Sequence, residues 1–437
     1  MILKFKIKNH LSFKNEVVLD FVATKKDKHF NFFCEEIGKY KVLKIAMLFG
    51  PNASGKSNIL YALNTFRNIV LNDKLSKNDT IAHIPFEFDS STQNAPTFFE
   101  LEFLVDETKF SYNIEFNDKF ILHENLYVYS PKKAKFFSRI TNVKTGEINL
   151  DLGNKFDIGD IDKRTLTGNT LHNMTILSGY NKTSLQIKVF DIINEWLNYN
   201  LRPIVRPDTE LKEYIKDKIY NKKIKTNLIE DMLHNADFNV KRAFVHKTEI
   251  TIELLEGLKE REPILYKKAI EMLEKHPEDN IALDLIFEHL VKNRSKKELF
   301  QLPESLESAG TLRYFGLSGV LSEIINRTGV LFIDELESSL HPDLLNHFIS
   351  TFMLNTKKSQ LIFTSHYYPL LEDTDELRKD IVWFTEKRED GSTELYSLKD
   401  INIRSSLNYY KAYKTGKFGA KPFVGSAYIP NIESKDE

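Results

Sequence analysis

Cysteine is almost missing: Cys34 is the one thiol in 437 residues. That excludes an intrachain disulfide framework and any cysteine cluster for a metal, and it suits a reducing interior. Long apolar runs are missing as well. The longest, such as 330–333, fall far short of the roughly 18–20 residues a membrane helix needs. Net charge is close to zero, with 61 Lys and Arg against 62 Asp and Glu, so no global field draws the chain to nucleic acid or an anionic membrane. The opening Met1-Ile2-Leu3-Lys4-Phe5-Lys6-Ile7-Lys8 alternates with period two, which reads as a half-buried strand and not as a signal peptide. No motif of 20–50 residues recurs, and no heptad run supports an extended coiled coil. The expectation is a cytoplasmic protein with no membrane contact, of two or three domains for this length.

What is present begins with a hairpin over 1–25, turning near Asn9 to Asn15. A largely apolar strand covers 42–49, a glycine-rich loop follows, and a helix covers 57–71. Over 80–150, Phe98, Leu101, Phe103, Phe110, Tyr112 and Ile114 recur at strand spacing, which predicts antiparallel strands. Residues 185–201 read as helix and 205–245 are lysine-rich with weak periodicity. A short strand is expected at 249–255, helices at 260–275, 280–297 and 310–325, and short buried parallel strands at 329–333 and 360–364. The last residues, 424–437, read as a frayed tail.

Gly50-Pro51-Asn52-Ala53-Ser54-Gly55-Lys56-Ser57 fits the phosphate-binding pattern G-x-x-x-x-G-K-[ST] at every fixed position. Gly50 and Gly55 let the backbone curl so that its N–H groups face phosphate oxygens, and the following helix adds its positive end. Lys56 is placed to put a point charge on the β- and γ-phosphates of ATP, and the Ser57 hydroxyl to ligate Mg²⁺. Leu331-Phe332-Ile333-Asp334-Glu335 delivers two adjacent carboxylates at the end of a buried strand, where open parallel sheets bind ligands. Asp334 is expected to hold Mg²⁺ through Ser57 or water, and Glu335 to polarise the attacking water.

With these residues in place, Asp334-Glu335-Leu336-Glu337-Ser338-Ser339-Leu340-His341-Pro342 resembles the Walker B segment and D-loop of ABC-type ATPases of the SMC, RecF and OLD kind. Thr364-Ser365-His366 closes the next strand where those enzymes carry a switch histidine. Glu307-Ser308-Ala309-Gly310-Thr311 stands in the place of the signature L-S-G-G-Q, with Ser308 and Gly310 matching it; its E-S-x-G-T form resembles OLD-like and abortive-infection ATPases. Ser308 and Gly310 also suit a plain helix N-cap. Arg313, one turn on, either reaches phosphate or pairs with an acid. The opening Ile7-Lys8-Asn9-His10-Leu11-Ser12-Phe13 resembles the start of this group too. The resemblance covers about 1–70 and 300–425; the middle matches no family.

The resemblance implies an α/β fold: an ABC-type ATPase head with a mixed sheet and a β-rich lobe, plus a helical insertion. The corresponding division is 1–201, with the loop and the lobe; 202–300, mainly helical; and 301–437, with signature, Walker B, D-loop and switch histidine. It implies Mg²⁺-dependent hydrolysis of ATP held between two heads, hence an ATP-dependent homodimer or higher oligomer, with the loop of one head facing Ser308 and Gly310 of the other. Only 71 residues follow His366, too few for the fused nuclease of OLD proteins, a fold of about 100 residues or more. By resemblance, the chain looks like the ATPase of an abortive-infection, PARIS-like anti-phage system, and the missing nuclease motivates a separately encoded effector. A RecF-like, ATP-gated DNA-binding repair protein is the alternative, and a scaffold that sequesters a toxin the third reading. Lysine clusters at 212–225 and 292–297 read first as solvated helix faces and second as DNA contacts. The stretch 409–423 interleaves Tyr409, Tyr410, Tyr413, Phe418 and Phe423 with Lys411, Lys414 and Lys417. It reads as a helix ended by Gly416 and docked by Phe418 and Phe423, in preference to a base-stacking platform. Gln93 sits in a polar turn and is given no role.

Overall fold

The elements nearest the N-terminus are a hairpin of β1 (Ile2–Lys8) and β2 (Val17–Asp20), as expected, and a second hairpin of β3 (Cys34–Ile37) and β4 (Tyr40–Leu43). The strand expected at 42–49 is split. Leu43 ends β4, and Lys44 turns the chain into β5 (Ile45–Phe49), its carbonyl accepting from Leu361 N–H at 2.9 Å. All five residues of β5 are buried, which suits a central strand covered on both faces. After the glycine loop comes α1 (Lys56–Leu71), burying Ile59, Leu60, Leu63, Phe66, Ile69 and Val70 at helical spacing.

Five antiparallel strands follow as the alternation predicts: β6 (Thr97–Val105), β7 (Thr108–Phe116), β8 (Ile121–Tyr129), β9 (Lys133–Thr141) and β10 (Ile148–Leu152). With β1 and β2 they make a seven-stranded sheet ordered β10-β9-β8-β7-β6-β1-β2. Helices α2 (Asp160–Asn169), α3 (Ile176–Tyr180) and α4 (Lys188–Glu195) come next, the last running into a π-helical turn at Trp196–Asn200. A buried ion pair, Arg139 to Glu124 at 3.1 Å, is satisfied by Tyr112 Oη–H and Ile176 N–H donating to Glu124.

The middle of the chain holds α5 (Leu211–Tyr220), α6 (Asn227–Asn235), β11 (Val240–Glu249), α7 (Ile252–Lys259) and α8 (Pro263–Lys275). The short strand expected at 249–255 is thus corrected: the strand ends at Glu249 and helix begins at Ile252. The helix expected at 280–297 is corrected as well. That segment forms β12 (Ile281–Asn293) and the start of β13 (Lys296–Pro303), in a sheet ordered β11-β12-β13. Leu285 and Phe287, two apart, are the residues β12 buries, which is a strand's period and not a helix's.

The C-terminal third holds α9 (Ala309–Ile325), β14 (Val330–Ile333), α10 (Pro342–Asn355), β15 (Gln360–Thr364), β16 (Val382–Lys387), β17 (Thr393–Ser397) and α11 (Tyr409–Lys414). The five-stranded sheet runs β14-β15-β5-β16-β17, parallel except for β17. This computed structural model describes residues 1–24, 30–156, 158–236, 238–275, 281–293, 296–325, 327–372, 377–402 and 407–422; Phe423 and the tail 424–437 lie outside them.

Two units divide the fold. The first comprises Met1–Pro207, Thr328–Leu336 and Lys357–Glu437, the second Asp208–Arg327 and Glu337–Thr356. In the first, α1 packs on β15, and its Phe66 meets Phe5, Phe99 and Tyr112 of the antiparallel sheet. The Gln360 amide donates to Ile2 O and Leu43 O at 2.9 and 3.0 Å, fastening the two sheets. In the second, α5 crosses α9 so closely that a Cβ on Gly319 would fall 2.4 Å from Ile215 Cδ1. The architecture is α/β, with one mixed five-stranded sheet beside antiparallel ones, the class the sequence implied. Among the described residues, the 202–300 segment holds helices α5 to α8 and, besides them, the paired strands β11 and β12 and the start of β13.

Candidate functional site

Residues 50–57 leave β5 at its C-terminal end and enter α1. Gly55 takes φ +100° and Ala53 φ +60°, so the peptide planes curl into a concave turn. The two glycines of the pattern are required by close packing. A Cβ on Gly50 would fall 2.5 Å from Thr385 O, and one on Gly55 would fall 2.3 Å from Thr393 Oγ1. Hydroxyls hold the curl from outside: Ser54 Oγ lies 2.6 Å from Thr385 Oγ1, and Thr393 Oγ1 donates to Ser54 O at 2.8 Å. Ser12 Oγ completes this brace, accepting from Asn58 Nδ2 at 2.7 Å and lying 2.7 Å from Thr393 Oγ1, to which its own hydroxyl is free to donate. Asn9, from the same opening segment, spans 86–96 by donating to Ala95 O at 2.8 Å and accepting from Phe86 N–H at 3.0 Å.

Lys56 is buried, and its ammonium donates to Gly50 O at 2.9 Å and Pro51 O at 3.1 Å. Its charge is therefore held on the loop itself. On the same turn of α1, Ser57 Oγ–H donates to Asp334 Oδ1 at 2.7 Å. Asp334 also accepts from Thr364 Oγ1–H at 2.6 Å and Tyr61 Oη–H at 3.4 Å. Glu335 has φ +47°, an uncommon conformation for a residue with a Cβ, and its N–H donates to Thr364 Oγ1 at 2.8 Å. Leu336 N–H then donates to Thr364 O at 3.2 Å, so the turn after β14 is locked to the end of β15.

His366 follows two residues beyond β15. Ser365 N–H donates to Leu48 O at 3.0 Å, which keeps that strand end in register with β5. His366, Ser365 and the loop residues Gly50, Pro51 and Asn52 line one cleft of about 710 Å³. The structure thus brings together Gly50 to Ser57, Asp334, Glu335 and His366 in the first unit. Ser308 and Gly310 belong to the second. There Ser308 Oγ accepts from Thr311 N–H at 3.0 Å, capping α9, and a Cβ on Gly310 would lie 3.0 Å from Ser339 O. Arg313 is buried, which lowers its pKa, and the charge of Asp208 opposes that shift. The acid-pairing reading of Arg313 has this neighbour in its favour.

The donor set suits a nucleoside triphosphate with Mg²⁺. Mg²⁺ binds through one or two carboxylates plus substrate phosphates, and Ser57 and Asp334 offer one hydroxyl and one carboxylate in direct contact. No group of three or more His, Cys, Asp or Glu residues is gathered for a metal among the described residues. Sequence reasoning missed Thr385 and Thr393, and gave Ser12, Tyr61 and Thr364 no role. Thr364 stands directly before Ser365-His366 and could have been found; Thr385 and Thr393 carry no local signal. No helix among the described residues is long and apolar enough to cross a membrane.

No curated protein matches the sequence. Among solved structures, the chain is similar to the SMC head domain from Thermotoga maritima, at 13% identity and a TM-score of 0.39, covering 92% of this chain and 99% of that one. It is also similar to an SMC head bound to the C-winged helix domain of ScpA, at 12% identity and a TM-score of 0.39, covering 91% and 97%. A third likeness is to an SMC head with an extended coiled coil, bound to the C-terminal domain of ScpA derived from Pyrococcus furiosus, at 13% identity and a TM-score of 0.35, covering 96% and 99%. Residues 45–373 match the family described as "AAA domain, putative AbiEii toxin, Type IV TA system", a span that takes in the loop, Asp334, Glu335 and His366. That match extends over well more than half of the 437 residues, and the chain belongs to this AAA-domain family.

Proposed function

We propose that the chain is a Mg²⁺-dependent ATP hydrolase that closes on ATP as a pair of heads, and that it is the ATPase component of an anti-phage abortive-infection system acting with a separately encoded effector. The observation that carries the enzymatic part is the contact chain Ser57–Asp334–Thr364–Glu335, which joins the loop helix to the Asp334 carboxylate and to the backbone of Glu335. The loop N–H groups and Lys56 bind the phosphates, with Lys56 exchanging the carbonyls of Gly50 and Pro51 for phosphate oxygens. Ser57 and Asp334 hold the divalent cation, which when bound neutralises charge on the phosphate oxygens. Glu335 takes the proton from a water whose oxygen attacks the γ-phosphorus, while the bond to the bridging oxygen breaks and ADP leaves. His366 steadies the terminal phosphate. Ser308 and Gly310 of a second copy complete the site, and one symmetric interface serves two such sites. The defence role is supported by the family's description, which names an abortive-infection toxin.

Glu335→Gln tests the chemistry: ATP binding is retained and phosphate release falls by about 10²–10⁴-fold. Turnover at the wild-type rate would remove Glu335 from its role. The alternative is an ATP-gated DNA-binding protein. It draws on Lys241, Lys292 and Lys297, which line a groove of about 830 Å³ in the second unit. Glu230 and Asp231 line the same groove, and Lys212 and Lys216 are spent on Glu304 at 2.9 and 2.7 Å. Hydrolysis stimulated several-fold by duplex DNA favours that second reading.

A further inference from the structure

The basic and aromatic stretch 409–422 is docked in the first unit, with Lys414 Nζ over the Tyr410 ring at 5.8 Å. Tyr413 stacks on Phe384 of β16 with ring centroids 5.6 Å apart, and Phe418 packs on the same ring at 5.7 Å. Tyr413 Oη–H donates to Ala420 O at 2.8 Å, and Tyr396 Oη–H donates to Phe418 O at 2.6 Å. At Gly419, φ is +70° and a Cβ would fall 2.5 Å from Glu386 Oε2, so the chain is pressed against the sheet there. Lys421 Nζ donates to Lys414 O at 2.6 Å and closes the end of α11. The aromatic residues thus make a fixed wall.

Tyr413 of that wall and Gly50 to Asn52 of the glycine loop line the same cleft of about 710 Å³, within the range of about 300–1,000 Å³ usual for small-ligand sites. It opens at the C-terminal ends of β5, β15 and β16, where Gly50, His366 and Lys387 stand. Lys387, Lys414 and Lys421 line it, with Glu386 as a carboxylate beside them; the Lys387 ammonium rests over the Phe88 ring at 5.5 Å, a weak contact that it can exchange for an anion. The surplus is cationic, so the ligand class is anionic. Its position identifies which part of a nucleotide comes near. Lys56, the residue that reaches β- and γ-phosphates in such loops, already touches Gly50 O and Pro51 O, and both residues line the cleft.

We propose that Lys387 and Lys414 make this cleft the receptor for the terminal phosphate of a nucleoside triphosphate, so that the segment 409–422 distinguishes ATP from ADP. The inference rests on the nucleotide-binding reading above and adds to it a triphosphate sensor built from the C-terminal segment. A γ-phosphate drawing on Lys414 tightens α11 on the sheet, and its loss on hydrolysis releases that hold.

The test is calorimetric titration with ATPγS and with ADP, each with Mg²⁺, on wild type, the Lys387→Ala/Lys414→Ala double variant and Lys56→Ala. The double variant is expected to lose about tenfold or more in affinity for ATPγS, the value of one charged contact, and under about twofold for ADP. Replacing both lysines by arginine retains the preference. In wild type, amide exchange over 409–422 slows with ATPγS relative to ADP, and in the double-alanine variant the two nucleotides give the same exchange. Equal losses for both nucleotides would mean that the cleft takes the nucleoside, and would overturn the proposal; so would no loss for either. Lys56→Ala separates the two failures. If Lys56→Ala loses both nucleotides while the cleft variant behaves as wild type, this inference alone fails. If wild type binds neither nucleotide, the nucleotide reading fails and the sensor with it.

Discussion

At the scale of single residues, the site depends on where one ammonium and a few hydroxyls are held. Lys56 is buried and is satisfied by two loop carbonyls, so its removal deletes a charge already placed for phosphate. Lys56→Ala is expected to weaken ATP binding by about ten- to a hundredfold, the worth of a charge-assisted contact, as read by calorimetry. His10 gives a second residue-scale expectation. It is buried in edge contact with Phe99, and neither ring nitrogen has a hydrogen-bond partner among the described residues. Burial, then the charge of His83, pushes its pKa down from 6.5 to about 3. Between those values the unfolded chain binds a proton that the folded chain does not, so stability rises with pH across the window and is lost as pH falls from about 6.5 toward 3. The melting temperature is expected to be lower at pH 5 than at pH 7. His10→Phe should flatten that slope whatever it does to the absolute value.

At the scale of elements, the loop is an insert clamped by its neighbours. Thr385 of β16 and Thr393 of β17 fill the space behind Gly50 and Gly55, and Ser12 closes the brace. Gly55→Ala places a Cβ at 2.3 Å from Thr393 Oγ1 in a backbone at φ +100°, so both sterics and conformation oppose it. The loop has to shift, and nucleotide affinity is expected to fall about tenfold or more with a small change in melting temperature. Unchanged affinity would show that the brace is not what shapes the loop. Segment 281–293 shows where element type was hidden. Its Ile, Leu, Phe and Val residues satisfy a helical stripe as well as a strand. Only pairing on both sides, with β11 and β13, makes it a central strand.

At the scale of the molecule, the question is whether a site is completed by a second copy. Gly310→Arg is expected to spare ATP binding and abolish hydrolysis. Lys56→Ala is expected to hydrolyse little ATP at concentrations below its weakened affinity, for the separate reason given above. In a mixed pair, one composite site carries both defects and the other carries neither. Phosphate release well above the sum of the separate preparations is therefore expected on mixing. Mixed pairs that form, as shown by tagged co-purification, yet remain inactive while each variant's partner site is intact would sink the two-copy arrangement. The Ser308 cap of α9 would then be the whole function of that segment.

The loop 50–57 and the pair Asp334-Glu335 were legible in the sequence because their chemistry is local. Consecutive residues supply the curl, the ammonium and the hydroxyl, and one buried strand carries both carboxylates to its end. The antiparallel strands over 80–150 were legible for a similar reason, since alternation is a property of neighbours. Tertiary structure decided the rest. Asp334 meets Ser57 because β14 joins β5 through β15, and Thr364 becomes the bridge because it ends the strand between them. Thr385, Thr393 and the lysines of 387–421 come to the loop because β16 pairs with β5 in parallel, Phe384 opposite Phe49. Residues more than 300 positions apart are neighbours there, and a contact made through backbone pairing across a sheet leaves no trace in the spacing of the residues it joins.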